Sequence, residues 1–394
     1  MPDKFDVAVI GAGPAGLMAA SEAARAGASV LLLEKDDQIG EPLNCAEGVT
    51  RLGVEQALPL RDEWIRTHPF RGRLISPSGH VFEMHHLEGG YILDRVRMER
   101  DLALEFEQAG GTLRLGCRAI ELSGSGENFT QLKYEDERGA KRSIGARIFV
   151  AADGIEGTIS RLAGLDNRLN LTEMESFLQY HIEGAAVETD AIEVYLGRSM
   201  APGSYAWIFP RGDNQVSVGL GILLDPYQSR PVKQYLDRFV ERRFGTVRIL
   251  RTSCGTSPRY AGPGLLAKGN LLVVGDAARI VDALTGAGIV TALLSGKIAG
   301  EAAGQFVSGE VNSIRELHDI YPRRFLDRKH AELTRLVEIK KLVCALSDGD
   351  LDEMVLALRD YFGDRPVESV NIVATIAGMV RKRPRLLKLA RHLL

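Results

Sequence analysis

The segment Gly11-Ala12-Gly13-Pro14-Ala15-Gly16 constrains this chain more than any other. It follows the apolar run FDVAVI and opens an Ala-rich stretch, residues 14–27, after which ASVLLLE ends at Glu34. Buried run, helical stretch and second buried run predict one βαβ unit. Glycines at this spacing permit a tight turn and let backbone amides and a helix N-terminus approach a pyrophosphate. A carboxylate at the end of the next strand accepts ribose hydroxyls. A lone GxGxxG would be weak, since it also fits a tight glycine turn with no ligand. Strand, helix, strand and acid together predict a bound dinucleotide. They do not separate NAD from FAD.

At 394 residues the chain is long enough for two to three folding units. The formal net charge of −3 offers no general basic footprint for nucleic acid. Cys45, Cys117, Cys254 and Cys344 are too sparse for a disulfide framework, and no CxxC pair marks a zinc or redox site. His85 and His86, adjacent on an expected strand, would point to opposite faces, so no metal site is expected. Lys297 follows Gly296 outside any phosphate-transfer loop pattern, and there is no GxSxG elbow. No secretory signal opens the chain, and the longest apolar stretch, 372–380, falls short of the ~18 to 20 residues that span a bilayer. A cytoplasmic protein is expected, soluble or peripheral on the inner face of the cell membrane. The segment 381–394, RKRPRLLKLARHLL, mixes cations with leucines. It suits either an anionic bilayer surface or a solvated helix face.

Two further segments narrow the dinucleotide. AADG (151–154) and GDAA (275–278), each after an apolar run, resemble the second and third fingerprints of hydroxylase-like FAD enzymes. The resemblance implies FAD, with Asp276 on the ribityl chain. It also implies a helix beginning in LTGAGIVTAL that faces the isoalloxazine, where its N-terminus would stabilise negative charge. No second GxGxxG follows a strand, so no separate nicotinamide site is visible.

GEPLNCAEGV, LDRVRMERDL, PGSYAWIFPRG and GDAARIVDALTGAGI together resemble the geranylgeranyl reductase family, most closely its archaeal branch, the digeranylgeranylglycerophospholipid reductases. The resemblance covers residues 6–299. It implies a Rossmann-like α/β FAD-binding domain of the hydroxylase-like (glutathione reductase 2) type at 1–70, 93–170 and 262–310. An antiparallel-sheet substrate domain would occupy 71–92 and 171–261, and a helical C-terminal region 311–394. Beyond Gly11, Gly13 and Gly16, it places FAD contacts at Ala15, Glu34, Cys45, Ala46, Gly48, Arg95, Ala119, Asp276, Gly288 and Ile289. The P-x-x-Y-x-W-x-F-P signature falls on Pro202, Tyr205, Trp207, Phe209 and Pro210, and belongs to the substrate domain. Two positions depart from the pattern. Ala283 stands where proline is common, which would loosen the loop over the flavin, and Ala46 stands where glycine is common.

Enzymes of this family hydrogenate isolated alkenes on long prenyl lipids. Such an alkene has no electron-withdrawing group, so hydride addition needs proton delivery to the other carbon, and the transition state carries cationic character. The expected site therefore holds a proton donor in a water-poor pocket. Cys45 is the candidate thiol, either participating or simply packing in the cofactor loop. Tyr205, Trp207 and Phe209 share one strand face by the two-residue period, either as an aromatic wall or as a core stripe. The partners implied are a prenyl lipid and an external electron donor, ferredoxin or a nicotinamide. Two rivals stay open on the same fold: an FAD-dependent aromatic monooxygenase, and an electron-transfer flavoprotein without substrate chemistry of its own.

Overall fold

The computed structural model describes residues 3–85, 89–165, 170–225, 230–262, 264, 266–363 and 372–383. In chain order, β1 (Asp3–Ile10), α1 (Pro14–Arg25) and β2 (Val30–Leu33) form the expected βαβ unit. A hairpin follows, β3 (Arg71–Ile75) and β4 (Val81–His85), then α2 (Arg95–Gln108), β5 (Thr112–Arg114) and the meander β6 (Arg118–Ser125), β7 (Asn128–Glu135) and β8 (Lys141–Ala151). Next come β9 (Met174–Glu183), β10 (Ala191–Tyr195), β11 (Ala206–Gly212) and β12 (Gln215–Leu223). The chain continues through α3 (Val232–Phe244), β13 (Arg248–Pro258), β14 (Ala267–Lys268) and β15 (Leu271–Val273). Four helices complete it: α4 (Ile289–Ser308), α5 (Ile314–Ala345), α6 (Asp348–Phe362) and α7 (Ile372–Lys382).

The first sheet runs β14-β15-β8-β1-β2-β5, with β15, β8, β1, β2 and β5 parallel, and with β7 and β6 continuing antiparallel from β8. Its central strands are apolar on both faces, as a parallel sheet covered by helices requires. The second sheet runs β13-β9-β12-β11-β10-β3-β4. It is antiparallel where strands follow one another closely, but β10 pairs with β3 in parallel. Between β3 and β10 the chain passes through the first sheet, so no tight turn dictates their relative direction. A separate apolar cluster, including Phe82, Leu196, Leu351 and Val355, fastens α6 to the β4 end of this sheet. Among the described residues no helix is long and apolar enough to cross a membrane.

Helix α4 lies against α1 along Gly296, Gly300 and Gly304, spaced four residues apart on one helical face. A Cβ at Gly296 would stand 2.1 Å from the Ala15 carbonyl oxygen, one at Gly300 2.5 Å from that of Ala19, and one at Gly304 2.4 Å from Ala26 Cβ. This close approach carries the start of α4 to the tip of β1. On an exposed helix Gly→Ala gains about 1 kcal/mol. Here overpacking of about 1–3 kcal/mol opposes it against backbone that cannot rotate away. Gly300→Ala is therefore expected to lower the thermal midpoint, as read by calorimetry, and Gly300→Leu to lower it further.

Candidate active site

Four sequence-distant segments converge between the two sheets. At the nucleotide end, Gly11 adopts φ +99° and a Cβ there would lie 2.3 Å from the Ala152 carbonyl oxygen, while one at Gly16 would lie 1.8 Å from that of Gly11. These two glycines let the βα turn nest against the AADG segment. Gly13 differs: a Cβ there would meet nothing within 4 Å. It opens α1 with no side-chain cap, and Gly13, Pro14 and Ala15 line a cavity of about 390 Å³. An uncapped helix N-terminus facing open space fits a pyrophosphate. Glu34 stands at the end of β2, its Oε2 accepting from the Ala12 amide at 2.6 Å and its Oε1 from the Asp36 amide at 3.0 Å, so the carboxylate is fixed in place.

Asp276 follows β15 in a tight turn and lines the same cavity; burial raises its pKa, against the pull of Arg95. Gly288 and Ile289 begin α4 beside it, again without a side-chain cap. The loop before them, which lacks the proline at Ala283, carries hydrogen bonds of its own. Asp282 Oδ1 accepts from the Leu284 amide at 2.7 Å, Thr285 Oγ1 donates to Asp282, and the Asp282 amide donates to the Ala287 carbonyl at 3.1 Å. An aspartate-centred turn supplies the restraint.

The cysteine loop forms the facing wall. Gln179 on β9 donates from Nε2 to the Cys45 carbonyl at 3.0 Å and approaches His181 Nε2 at 3.0 Å, while its Oε1 accepts from Trp207 Nε1 at 3.1 Å. Cys45 Sγ accepts from the Glu47 amide at 3.2 Å. Glu47 is buried at φ +65°, ion-paired with buried Arg211, and accepts from the Arg95 amide at 3.2 Å. The Arg95 guanidinium bonds Glu99 through Nε at 2.7 Å. Burial works against its charge, but Glu99 and the Cys45 sulfur hold its pKa above the ordinary value.

Tyr205, Trp207 and Phe209 line the cavity together, with Tyr205 and Trp207 edge to face at 5.8 Å. Trp207 is at once wall and core: a Cβ at Gly219 would lie 2.1 Å from its ring. The Tyr205 hydroxyl donates to the Thr285 carbonyl, and burial raises its pKa. Cys45, Ala46 and Arg95 are also on the wall, whereas Gly11, Gly16, Glu34, Gly48 and Ala119 are not. Gly48 abuts Phe209, and Ala119 lies two residues beyond Cys117, whose amide donates to the Glu34 carbonyl at 2.7 Å. Of the histidines weighed for metal, His85 is exposed near Glu83, and His86 lies outside the described residues.

A second cavity of about 490 Å³ adjoins the first, sharing Ser204, Tyr205, Phe209 and Thr285 with it. Leu74, Ile192, Leu196, Val343, Met354 and Leu358 give it an apolar wall, and among the described residues no acidic side chain lines it. Sequence reading missed Glu175, Phe177, Gln179 and His181, which occupy alternate positions on β9. Their signal was the same two-residue period that exposed the aromatic stripe on β11.

Residues 6–193 match the family model for FAD dependent oxidoreductases, and residues 173–256 the model for the geranylgeranyl reductase catalytic domain. The chain is an FAD-dependent oxidoreductase of the hydroxylase-like fold. It is 35% identical to digeranylgeranylglycerophospholipid reductase of Methanosarcina acetivorans, over 98% of this chain and 95% of that one. With digeranylgeranylglycerophospholipid reductase 2 of Methanopyrus kandleri it shares 34% identity over 99% and 100%. The crystal structure of a geranylgeranyl bacteriochlorophyll reductase-like protein from Thermoplasma acidophilum superimposes with a TM-score of 0.90 at 27% identity, covering 100% of both chains. This chain belongs to the geranylgeranyl reductase family. The flavin-dependent halogenase CmlS, at 17% identity and a TM-score of 0.70 over 98% of this chain and 78% of that one, shares the fold alone.

His181 has its pKa lowered to about 4 by burial and by Arg251 and Arg66. The unfolded chain, with an ordinary histidine near ~6.5, binds more protons between those values, so stability is full above about 6.5 and falls as pH drops toward 4. Urea midpoints measured from pH 7.5 to 4.5 should show this slope, and His181→Gln should flatten it.

Proposed function

We propose that this chain saturates isolated double bonds of geranylgeranyl chains on archaeal-type membrane-lipid precursors. The observation that carries the reading is the junction at Tyr205 and Phe209, where a cavity built for a dinucleotide opens into an apolar one suited to a hydrocarbon chain. FAD, when bound and reduced, supplies the hydride. Gly13, Ala15, Glu34, Asp276, Gly288 and Ile289 hold it through the two helix N-termini and the two carboxylates. Ala46, Gly48, Arg95 and Ala119 are assigned to the same cofactor by resemblance.

Cys45 holds the proton at Sγ. On delivery to the alkene carbon the S–H bond breaks and a C–H bond forms. The thiolate left behind is stabilised by the Glu47 amide and the Arg95 guanidinium. Solvent returns the proton between turnovers. Tyr205, Trp207 and Phe209 exclude water and present aromatic faces to positive charge on the reacting carbons, worth ~0.5 to 2 kcal/mol or more when desolvated. Electrons come from an external donor, ferredoxin or a nicotinamide, and anaerobic bleaching of the flavin by each in turn identifies it. The apolar second cavity, together with the family match, favours this function over an aromatic monooxygenase or a pure electron carrier. Product formation without oxygen tests it against the first, and turnover without a protein acceptor against the second.

Cys45→Ala should retain bound FAD yet slow alkene reduction by about 10²-fold in single turnovers begun with pre-reduced protein, the scale of general acid catalysis. An unchanged rate removes the thiol from the mechanism. Trp207→Leu should weaken prenyl-lipid binding and slow reduction; normal values for both would leave Trp207 a core residue only. The basic C-terminal segment is assigned to an anionic bilayer surface, from which the lipid is drawn, although residues 384–394 lie outside the described ones. Removing 381–394 should reduce cosedimentation with anionic vesicles.

A further inference from the structure

The partition between the two cavities contains a buried ion pair that the proposed mechanism does not use. Glu175 on β9 lines the nucleotide-side cavity, Lys340 on α5 lines the apolar one, and both are buried. Lys340 Nζ donates to Glu175 Oε1 at 2.7 Å, and Arg259 Nη1 approaches the same oxygen at 3.6 Å. Both cations therefore address Oε1. Among the described residues Oε2 has no hydrogen-bond donor.

Two glycines leave Oε2 uncovered. A Cβ at Gly221 would stand 3.9 Å from it, and one at Gly286 3.8 Å from it, in the loop that precedes α4. Side chains at either position would lie over the carboxylate. Phe177 and Tyr205 line the same cavity beside it. The ion pair is thus an oriented dipole, its negative end on the nucleotide-side cavity and its cations set back behind the carboxylate. Burying two charges in this way is costly and adds little net stability compared with apolar packing. In a water-poor cavity, though, a fixed charge acts strongly on charge that develops nearby.

We infer that Glu175 faces the reacting segment of the prenyl chain and stabilises the positive charge that develops there, complementing the aromatic wall from the other side. This rests on the prenyl-lipid reading above. It makes a demand that a merely structural ion pair does not: the site should prefer a cation to its neutral isostere.

Isothermal titration of the FAD-loaded protein measures this directly. The probes are a geranylgeranyl lipid with one trisubstituted alkene carbon replaced by a tertiary-amine nitrogen, protonated at pH 7, and the parent hydrocarbon. The wild-type protein should bind the ammonium probe at least about tenfold tighter, a modest share of the effect of one preorganised charge partner. Glu175→Gln should cut that preference to the few-fold or less that the aromatic wall alone supplies, while leaving the affinity of the neutral probe unchanged. Glu175→Gln combined with Lys340→Met, which leaves no unpaired lysine, should lose the same preference, read as the ratio of its own two affinities, and serves if the single variant does not fold. Equal affinities in the wild type, a preference undiminished in the variants, or equal weakening of both probes would overturn the inference. If neither probe binds the wild-type protein, the prenyl-lipid reading falls and this inference with it.

Discussion

The side-chain amide of Gln179 ties the cofactor loop to the second sheet. Gln179 accepts from Trp207 at its oxygen and directs its nitrogen to the Cys45 carbonyl and His181, so both polar atoms have partners within the protein. A buried amide whose oxygen and nitrogen both have partners adds rigidity, whereas loss of a partner costs ~1–3 kcal/mol for the group left unpaired. The loop needs that rigidity, because Glu47 within it holds a positive φ that glycine would adopt more easily. Its buried carboxylate, tied to Arg211 on β11 and to the Arg95 amide, offsets the strain. Sγ of Cys45 is thereby placed by two strands and a helix rather than by its own short loop.

Small residues decide where space remains. Gly219 lets the Trp207 indole lie flat on the sheet, and Gly221 leaves Ser204 and Glu175 bare toward the cavity. At the other end Gly296, Gly300 and Gly304 draw α4 onto α1, which brings two helix N-termini to one cavity. A cofactor with both a diphosphate and an electron-accepting ring is served by that pairing. The second cavity lies between the second sheet and α5 and α6, and among the described residues it shares Ser204, Tyr205, Phe209 and Thr285 with the first.

The nucleotide half was readable because its signals are local. A glycine turn between a strand and a helix, with an acid at the next strand end, produces nearly the same backbone geometry wherever it occurs: Gly13 opens α1 onto the cavity and Glu34 ends β2 with its carboxylate on the Ala12 amide. The aromatic stripe was readable for a similar reason, since period two places Tyr205, Trp207 and Phe209 on one face. The same period on β9 carried Glu175, Phe177, Gln179 and His181, but isolated polar residues in an apolar strand do not reveal what they face. The absent proline at Ala283 points to a looser loop; the Asp282 turn that braces it depends on side-chain bonds that composition does not display.

The chain alone determined a βαβ nucleotide cradle, an alternating sheet with an aromatic face, and a helical end, all of which follow from backbone periodicity and glycine stereochemistry over short spans. Only the tertiary structure decided that Glu175 meets Lys340 across 165 positions of sequence. It alone put Gln179 under Cys45 and opened a second cavity against the first. Those outcomes come from packing between elements far apart in the chain, where which groups touch is set by the shape of everything between them.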